Sequence, residues 1–272
     1  MATKRGAFVK DVIVTGAYGG MGRATTLMLR RRGYRVFAID ISVKDPEEGI
    51  IPIKADITKE DEVEAAIGII RSLTDSVYAV IHFAGIYMLD SLVEMSADAF
   101  ERIFRINLFG AFLVNKHARA LMKDGSRVLI TTSELAPLDP LPFTGIYAVS
   151  KAALDKYAYS LRMELQLLGI SVSVLRAGAV DTGMLGASTD ALDKFCENTR
   201  LYSPNASRFK SIVDSVEARR ISTEALAHRA VSIIEKKRPR FAYSINRNPL
   251  LLLLDILPVR LQLFVIRQIL KR

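Results

Sequence analysis

The stretch that most constrains this chain is Asp11-Val12-Ile13-Val14-Thr15, followed at once by Gly16-Ala17-Tyr18-Gly19-Gly20-Met21-Gly22. The first five residues form a short apolar, β-branched run. From Ala24 through Leu27, Met28 and Leu29 the apolar spacing becomes helical, until Gly33 stops it. Strand, glycine turn and helix in that order let backbone approach a pyrophosphate, and the helix N-terminus offers free N–H donors at the positive end of its dipole. Three glycines alone would be only a tight turn. In this context Gly16, Tyr18, Gly20, Met21 and Gly22 become candidate dinucleotide-binding residues.

The unit that follows extends this reading. The strand Tyr34 to Ile39 ends at Asp40, 18 residues after Gly22, close to the ~20 expected for an acid that accepts hydrogen bonds from a ribose. A carboxylate there repels the extra phosphate of NADP, so NAD is the expected cofactor. Arg23, Arg35 and Lys44 lie near enough to leave NADP as the less favoured alternative. A weak strand, Gly49 to Lys54, leads to the Asp56-Ile57 turn, where an adenine can be held. An acidic helical stretch from Thr58 to Ile70 follows. Val77 to Gly85 reads as a buried strand ending in Ala84-Gly85, small enough to pack against a nucleotide. His82 has no metal partner at ligand spacing and reads as a structural hydrogen-bonder.

Ser96 is a fitting N-cap for a helical run that continues to Leu121 and carries the amide of Asn107 in apolar surroundings. That amide either ties backbone together or holds an ordered water. Arg127 to Thr132 is another buried strand, and it delivers Ser133 to its carboxyl end, where open parallel sheets bind ligands. After a loop with three prolines, Tyr147-Ala148-Val149-Ser150-Lys151 opens a helix through Leu165. Residues four apart share a helix face, so a phenol of ordinary pKa near ~10 and an ammonium that favours its ionised form can meet in one cleft. Ile170 to Leu175 makes a sixth strand. Strands and helices in alternation predict an α/β doubly wound parallel sheet with helices on both faces.

Composition bounds the function. A chain of 272 residues suits one large α/β domain, expected over residues 1–247, with 248–272 as a C-terminal helical extension. The single cysteine, Cys196, excludes an internal disulfide, and no metal site is expected. No export signal is read at the N-terminus and no spanning helix anywhere, so a reducing, cytoplasmic setting is expected. Residues 208–272 hold fourteen Lys or Arg against five Asp or Glu, so the whole net charge of +9 sits there. Its charges alternate with long aliphatic runs and lack interleaved aromatics, which argues against nucleic acid.

In family order, Thr15-Gly16-x-x-x-Gly20-x-Gly22, Asp40, Asp56, Ala84-Gly85, Asn107, Ser133, Tyr147-x-x-x-Lys151 and the segment Gly178 to Thr182 resemble a single-domain short-chain dehydrogenase/reductase over roughly residues 10–245. The resemblance implies a Rossmann fold and the following roles. Tyr147 is the general acid/base, Lys151 lowers its pKa and binds the nicotinamide ribose, and Ser133 donates to the substrate oxygen. Asn107 supports a water linked to Lys151, and the backbone at Val180 with the Thr182 side chain holds the carboxamide. It also implies a homodimer or homotetramer. The chain departs from the pattern at His82-Phe83, where the family has Asn-Asn, and at Ala177, where it has Pro. The 14-residue step from Ser133 to Tyr147 is one longer than typical, which makes Thr132 the substitute for Ser133.

Residues 183–220 match the family's substrate lid in position, and Met184, Leu185, Phe195 and Tyr202 are its candidate apolar contacts. An ordinary loop covering the core is the other reading. Asn248-Pro249 and Pro258 start two apolar helices, the second with Arg260, Arg267 and Lys271 on one face. That extension can serve peripheral membrane contact, the cleft or a subunit interface. The expectation is an NAD-dependent dehydrogenase or reductase of an apolar secondary alcohol or ketone, with a hydroxysteroid as the leading class. The alternatives are a retinoid, a 3-hydroxyacyl or other lipid alcohol, and a non-catalytic NAD-binding scaffold.

Overall fold

A computed structural model of the chain describes residues 10–182, 192–217 and 219–271. Its frame is a seven-stranded sheet of β1 (Asp11–Thr15), β2 (Arg35–Asp40), β3 (Ile50–Lys54), β4 (Val77–His82), β5 (Met122–Ser133), β6 (Ser171–Ala177) and β7 (Ala242–Ile245). The strands lie in the order β3-β2-β1-β4-β5-β6-β7, and every pairing is parallel. The order reverses between β1 and β4. That switch point is where the carboxyl ends of an open sheet leave a crevice for ligand.

Alternation along the strands sends side chains to two cores. Ile13, Phe37, Val80, Ile130 and Val174 pack on one face, and Val12, Val14, Val36, Ile81 and Leu175 on the other. The first face is covered by α2 (Glu60–Leu73), α4 (Gly110–Ala118) and α5 (Gly145–Leu165), the second by α1 (Gly20–Arg31) and α8 (Thr223–Ile234). Both faces being dry is why the strands read as apolar runs rather than alternating ones. Each fully buried Ile or Phe contributes roughly 1.5–3 kcal/mol, so the sheet is the main source of stability.

The doubly wound architecture is as expected from the sequence, with three differences of detail. β7 was not anticipated: four residues, Ala242–Ile245, are too few to show a period, and they become a strand because β6 offers an unpaired edge. The run from Ser96 is not one helix. After α3 (Ala97–Phe104), capped by Ser96 Oγ accepting from the Ala99 N–H at 3.2 Å, residues Arg105–Phe109 form a wide π-helical turn before α4. Strand β5 begins at Met122, ahead of the expected Arg127, with a register shift opposite β4 between Val77 and Ala79.

Beyond the sheet, the helical residues 192–198, here α6, α7 (Ser203–Glu217) and the loop before α5 enclose a separate apolar cluster of Leu89, Phe143, Leu192, Phe195, Ala206 and Phe209. Phe143 stands at its centre in a left-handed conformation, φ 64°, which few bulky residues adopt unless packing holds them there. The chain ends in α9 (Pro249–Asp255), with Asn248 as N-cap, and α10 (Val259–Leu270).

One buried polar chain crosses the sheet's edge with α4. The His82 Nε2–H donates to Asn115 Oδ1 at 3.0 Å, the Asn115 amide donates to the Tyr157 hydroxyl at 3.3 Å, and Thr15 Oγ1 lies 3.5 Å from His82 Nδ1. His82 is thus a structural hydrogen-bonder. Burial lowers its pKa to about 4, opposed by the Asn115 hydrogen bond. The unfolded chain, with His near ~6.5, takes up a proton that the folded chain refuses, so stability is lost as pH falls from about 6.5 toward 4. Urea unfolding should show a loss of roughly 3 kcal/mol from this group over that window, and His82→Gln should remove that slope.

Candidate active site

The glycine turn at the end of β1 is built by close approach. Gly16 has φ 63°, and a Cβ on it would lie 2.5 Å from the Ala84 nitrogen. A Cβ on Gly22 would lie 1.9 Å from the Gly16 carbonyl oxygen. No side chain caps the N-terminus of α1 at Gly19, so its first N–H groups face the crevice. That crevice, about 720 Å³ and open to solvent, is lined by Gly16, Gly20, Met21, Gly22, Asp40, Asp56, Ile57, Ala84 and Gly85, every one of them expected from the sequence. N–H donors that no side chain caps, above a cradle that side chains would fill, suit a pyrophosphate. Tyr18 is the exception. It is not in the lining, but its backbone N–H donates to Asp40 Oδ2 at 2.9 Å and fixes that carboxylate at the rim. Asp56 uses Oδ1 to accept from the Thr58 N–H and hydroxyl at 2.9 and 2.8 Å, which holds its turn.

A second cavity of about 220 Å³, partly open, adjoins the first and shares Met21, Phe83, Gly85, Ile86 and Thr182 with it. Ser133, Tyr147, Lys151 and Val180 line it, with Thr182 at the junction. Ser133 arrives as the last residue of β5, and Tyr147 and Lys151 lie on the first turns of α5. The Ser133 hydroxyl lies beside the Tyr147 phenol and favours its ionised form. The Thr132 hydroxyl is engaged elsewhere, donating to Asp155 Oδ1 at 3.2 Å, which leaves Ser133 as the hydroxyl beside the phenol. Lys151 Nζ lies 3.4 Å from the Thr131 carbonyl and 5.8 Å from the Tyr147 ring centre.

The electrostatics differ from the simple expectation that Lys151 lowers Tyr147. Burial is the largest influence on both groups and opposes both charges. Tyr147 is pushed up to about 12, with the Ser133 hydrogen bond pulling back and the Glu134 charge adding to the rise. Lys151 is pushed down to about 8. The pair therefore holds its proton on the phenol at neutral pH, ready to be donated.

Asn107 lies in neither cavity. It is fully buried in the π-turn, where Oδ1 accepts from the Ile86 N–H at 2.8 Å and Nδ2 donates to the Ile86 carbonyl at 3.1 Å and to Ser150 Oγ at 3.0 Å. Of the two roles open to it from sequence, the backbone tie is the one observed. It pins the strand end to α5 beside Lys151.

Of the expected substrate contacts, Met184 and Leu185 lie outside the described residues. Phe195 and Tyr202 do not reach the cavity. They pack on Phe143, at 4.6 and 5.0 Å between ring centres, one layer behind it. The lining is instead Tyr87, Leu135, Leu141, Phe209, Ile212, Val213 and Leu251. Tyr87 packs on Tyr147 with ring centres 4.7 Å apart. Glu134 was also missed. Its carboxyl is buried in the wall, accepts from the Asn248 N–H at 2.6 Å, and is pushed up by burial against that hydrogen bond and Arg247. Apart from its position next to Ser133, the sequence holds no signal for it.

A sequence profile described as short chain dehydrogenase matches residues 10–193. The chain belongs to the short-chain dehydrogenase family. Among its relatives in this family, the uncharacterized oxidoreductase YbbO of Escherichia coli is 30% identical over 236 residues, covering 83% of this chain and 86% of that one. Versicolorin reductase stcU of Emericella nidulans is 28% identical over 213 residues, 74% and 76% of the two chains. Among solved structures, a short-chain dehydrogenase from Burkholderia cenocepacia in complex with NADP superposes with a TM-score of 0.70 over 97% of this chain and 98% of that one, at 20% identity. Oxidoreductase activity with a nicotinamide cofactor is thus the activity of this family member.

In this short-chain dehydrogenase α5, which carries Tyr147 and Lys151, is held by a two-point pair. Arg176 on β6 donates from Nε and Nη2 to the Asp155 carboxylate at 3.0 and 2.7 Å. Removing the acid leaves a largely buried guanidinium unpaired, so Asp155→Ala should cost about 3–5 kcal/mol in urea unfolding. Thr132→Val, which removes a single neutral donor, should cost nearer ~1 kcal/mol.

Proposed function

We propose that this chain moves a hydride between NAD and an apolar secondary alcohol or ketone, of which a hydroxysteroid is the leading class. The observation that carries the reading is a mainly apolar cavity lined by Ser133, Tyr147 and Lys151, with the candidate nucleotide crevice adjoining it. Apolar walls with a few convergent polar groups are how such ligands are held. Relatives named for a substrate include versicolorin reductase and the NADPH-dependent 1-acyldihydroxyacetone phosphate reductase of Saccharomyces cerevisiae, the latter 29% identical over 195 residues. Their names fit a large organic substrate, and an acyl lipid is the second reading.

In the reduction direction, Tyr147 donates its proton to the substrate oxygen as charge develops there, and the Ser133 hydroxyl steadies the same oxygen. The Lys151 ammonium offsets the charge left on the phenol and reaches toward the nicotinamide ribose. Gly16 to Gly22 and the N-terminus of α1 hold the pyrophosphate, Asp40 the adenosine ribose, the Asp56-Ile57 turn the adenine, and Val180 with Thr182 the carboxamide. Ala84 and Gly85 leave room for the nucleotide. When bound, the nicotinamide supplies or accepts the hydride. Two observations support NAD over NADP. Asp40 is anchored at the rim by two backbone N–H groups. Of the cations nearby, Arg23 is paired with Glu47 and Arg35 with Asp11.

Purified chain should oxidise or reduce a member of a panel of hydroxysteroids, retinol and hydroxyacyl thioesters with NAD(H), and Tyr147→Phe should lose about 10²–10⁴-fold in kcat. Turnover that survives Tyr147→Phe would overturn the proton-transfer assignment. Preference for NADP, unchanged in Asp40→Ala, would overturn the cofactor assignment. Because Lys151 must be protonated and Tyr147 keeps its proton up to about 12, kcat/KM for ketone reduction should be level below about pH 8 and fall above it.

A further inference from the structure

The two C-terminal helices have an inner and an outer face of different character. Inward, Leu251 lines the substrate cavity, while Leu254, Ile266 and the buried Gln262 meet Leu138 and Pro140 on the loop before α5. The dock is polar as well as apolar. Gln262 donates to Asp139 Oδ2 at 3.2 Å and the Leu257 carbonyl at 3.0 Å. Asp255 accepts from the Asp139 N–H at 2.9 Å, and Asn205 on α7 donates to the Leu270 carbonyl at 2.6 Å.

Outward, Leu250, Leu253, Ile256, Val259, Leu263 and Phe264 are each more than half exposed. Apolar side chains scattered singly need no explanation, but six on two consecutive short helices form a patch that water disfavours. Cations accompany them. Arg260, Leu263, Phe264, Arg267 and Lys271 follow steps of three, four and seven, so they share one exposed face of α10. The only carboxylate of the two helices, Asp255, is already engaged at the Asp139 N–H.

We propose that this outer face docks on an anionic lipid surface, lying in the interface with Leu253 and Phe264 among the acyl chains and Arg260, Arg267 and Lys271 at the headgroups. The charge arrangement selects this occupant over a second copy of the chain. A two-fold contact sets a patch against itself, which would bring these three cations together with no free acid to answer them. Arginine and lysine stems lie along apolar surface while their heads reach polar phosphate, so mixed apolar and basic faces suit an interface. Helices of 7 and 12 residues lie on a bilayer rather than cross it, and no helix among the described residues is long and apolar enough to cross one. Leu251 gives the docking a consequence. The helix touching lipid on one side walls the cavity on the other, so an apolar substrate has a route from membrane to site. That consequence rests on the apolar-substrate reading above, whereas the docking does not.

The test uses the full chain with vesicles of phosphatidylcholine alone and of phosphatidylcholine mixed with phosphatidylglycerol, read by co-sedimentation. Partitioning should favour the anionic vesicles by about tenfold or more at low salt and weaken as salt rises. Phe264→Asp and Leu253→Asp, at exposed positions that tolerate charge, should abolish binding, while Arg267→Glu should remove the preference for anionic lipid. Tight NADH binding and turnover of a short, water-soluble ketone should be unchanged in Phe264→Asp, which separates a lost surface from a lost fold. No binding to anionic vesicles overturns the proposal. So does a solution mass that halves in Phe264→Asp, which assigns the face to a second copy. The vesicle measurement reads no turnover, so its failure is distinct from failure of the substrate reading.

Discussion

The site depends on the close approach of Gly16 to Ala84. Two adjacent parallel strands, β1 and β4, end side by side at the point where the strand order reverses, and no side chain could stand between them. That contact does two things at once. It closes the sheet's upper edge tightly enough that Thr15 and His82 can share a buried hydrogen-bonding chain. It also leaves backbone rather than side chains at the floor of the crevice, which is what a pyrophosphate needs. A Cβ at Gly16 would collide with backbone, which can yield only by separating the strands.

The polar groups inside the molecule are few and each is tied to placement. Asn107 spends its amide on Ile86 and Ser150 and sits in a π-turn, a wide turn often found beside functional sites. Asp155 and Arg176 hold α5 to β6 one turn beyond Lys151. Together they fix the two ends of the segment that presents Tyr147 and Lys151. The cost of burying that pair is written in its titration. Desolvation raises the phenol and lowers the ammonium, so the isolated pair is poised as a proton donor.

Around this fixed base, the cavity walls come from parts of the chain far apart in sequence. Tyr87 follows β4, Leu135 and Leu141 belong to the loop before α5, Phe209 to Val213 to α7, and Leu251 to α9. Behind them the Phe143 cluster acts as a second layer, which explains why the buried Phe195 and the half-buried Tyr202 do not touch the cavity. Glu134 joins the wall to the tail through the Asn248 N–H, so the start of α9 is anchored within the site it helps enclose.

Local patterns determined a good deal by themselves. Six of the seven strands, the glycine turn, the helix starts at Ser96 and Asn248, and the positions of Asp40, Ser133, Tyr147 and Lys151 are legible because each rests on neighbours within a few residues, where periodicity and turn chemistry act. What tertiary structure alone decided has no such local trace. β7 exists because an edge was available, Thr132 and Ser133 divide their roles because Asp155 reaches only one of them, and the phenol's proton affinity follows from burial rather than from the lysine beside it. The wall of the apolar cavity is the extreme case. Its members are ordinary apolar residues whose common purpose appears only when loop, α7 and α9 converge, because apolar contact depends on shape and proximity and leaves no spacing in the chain to read.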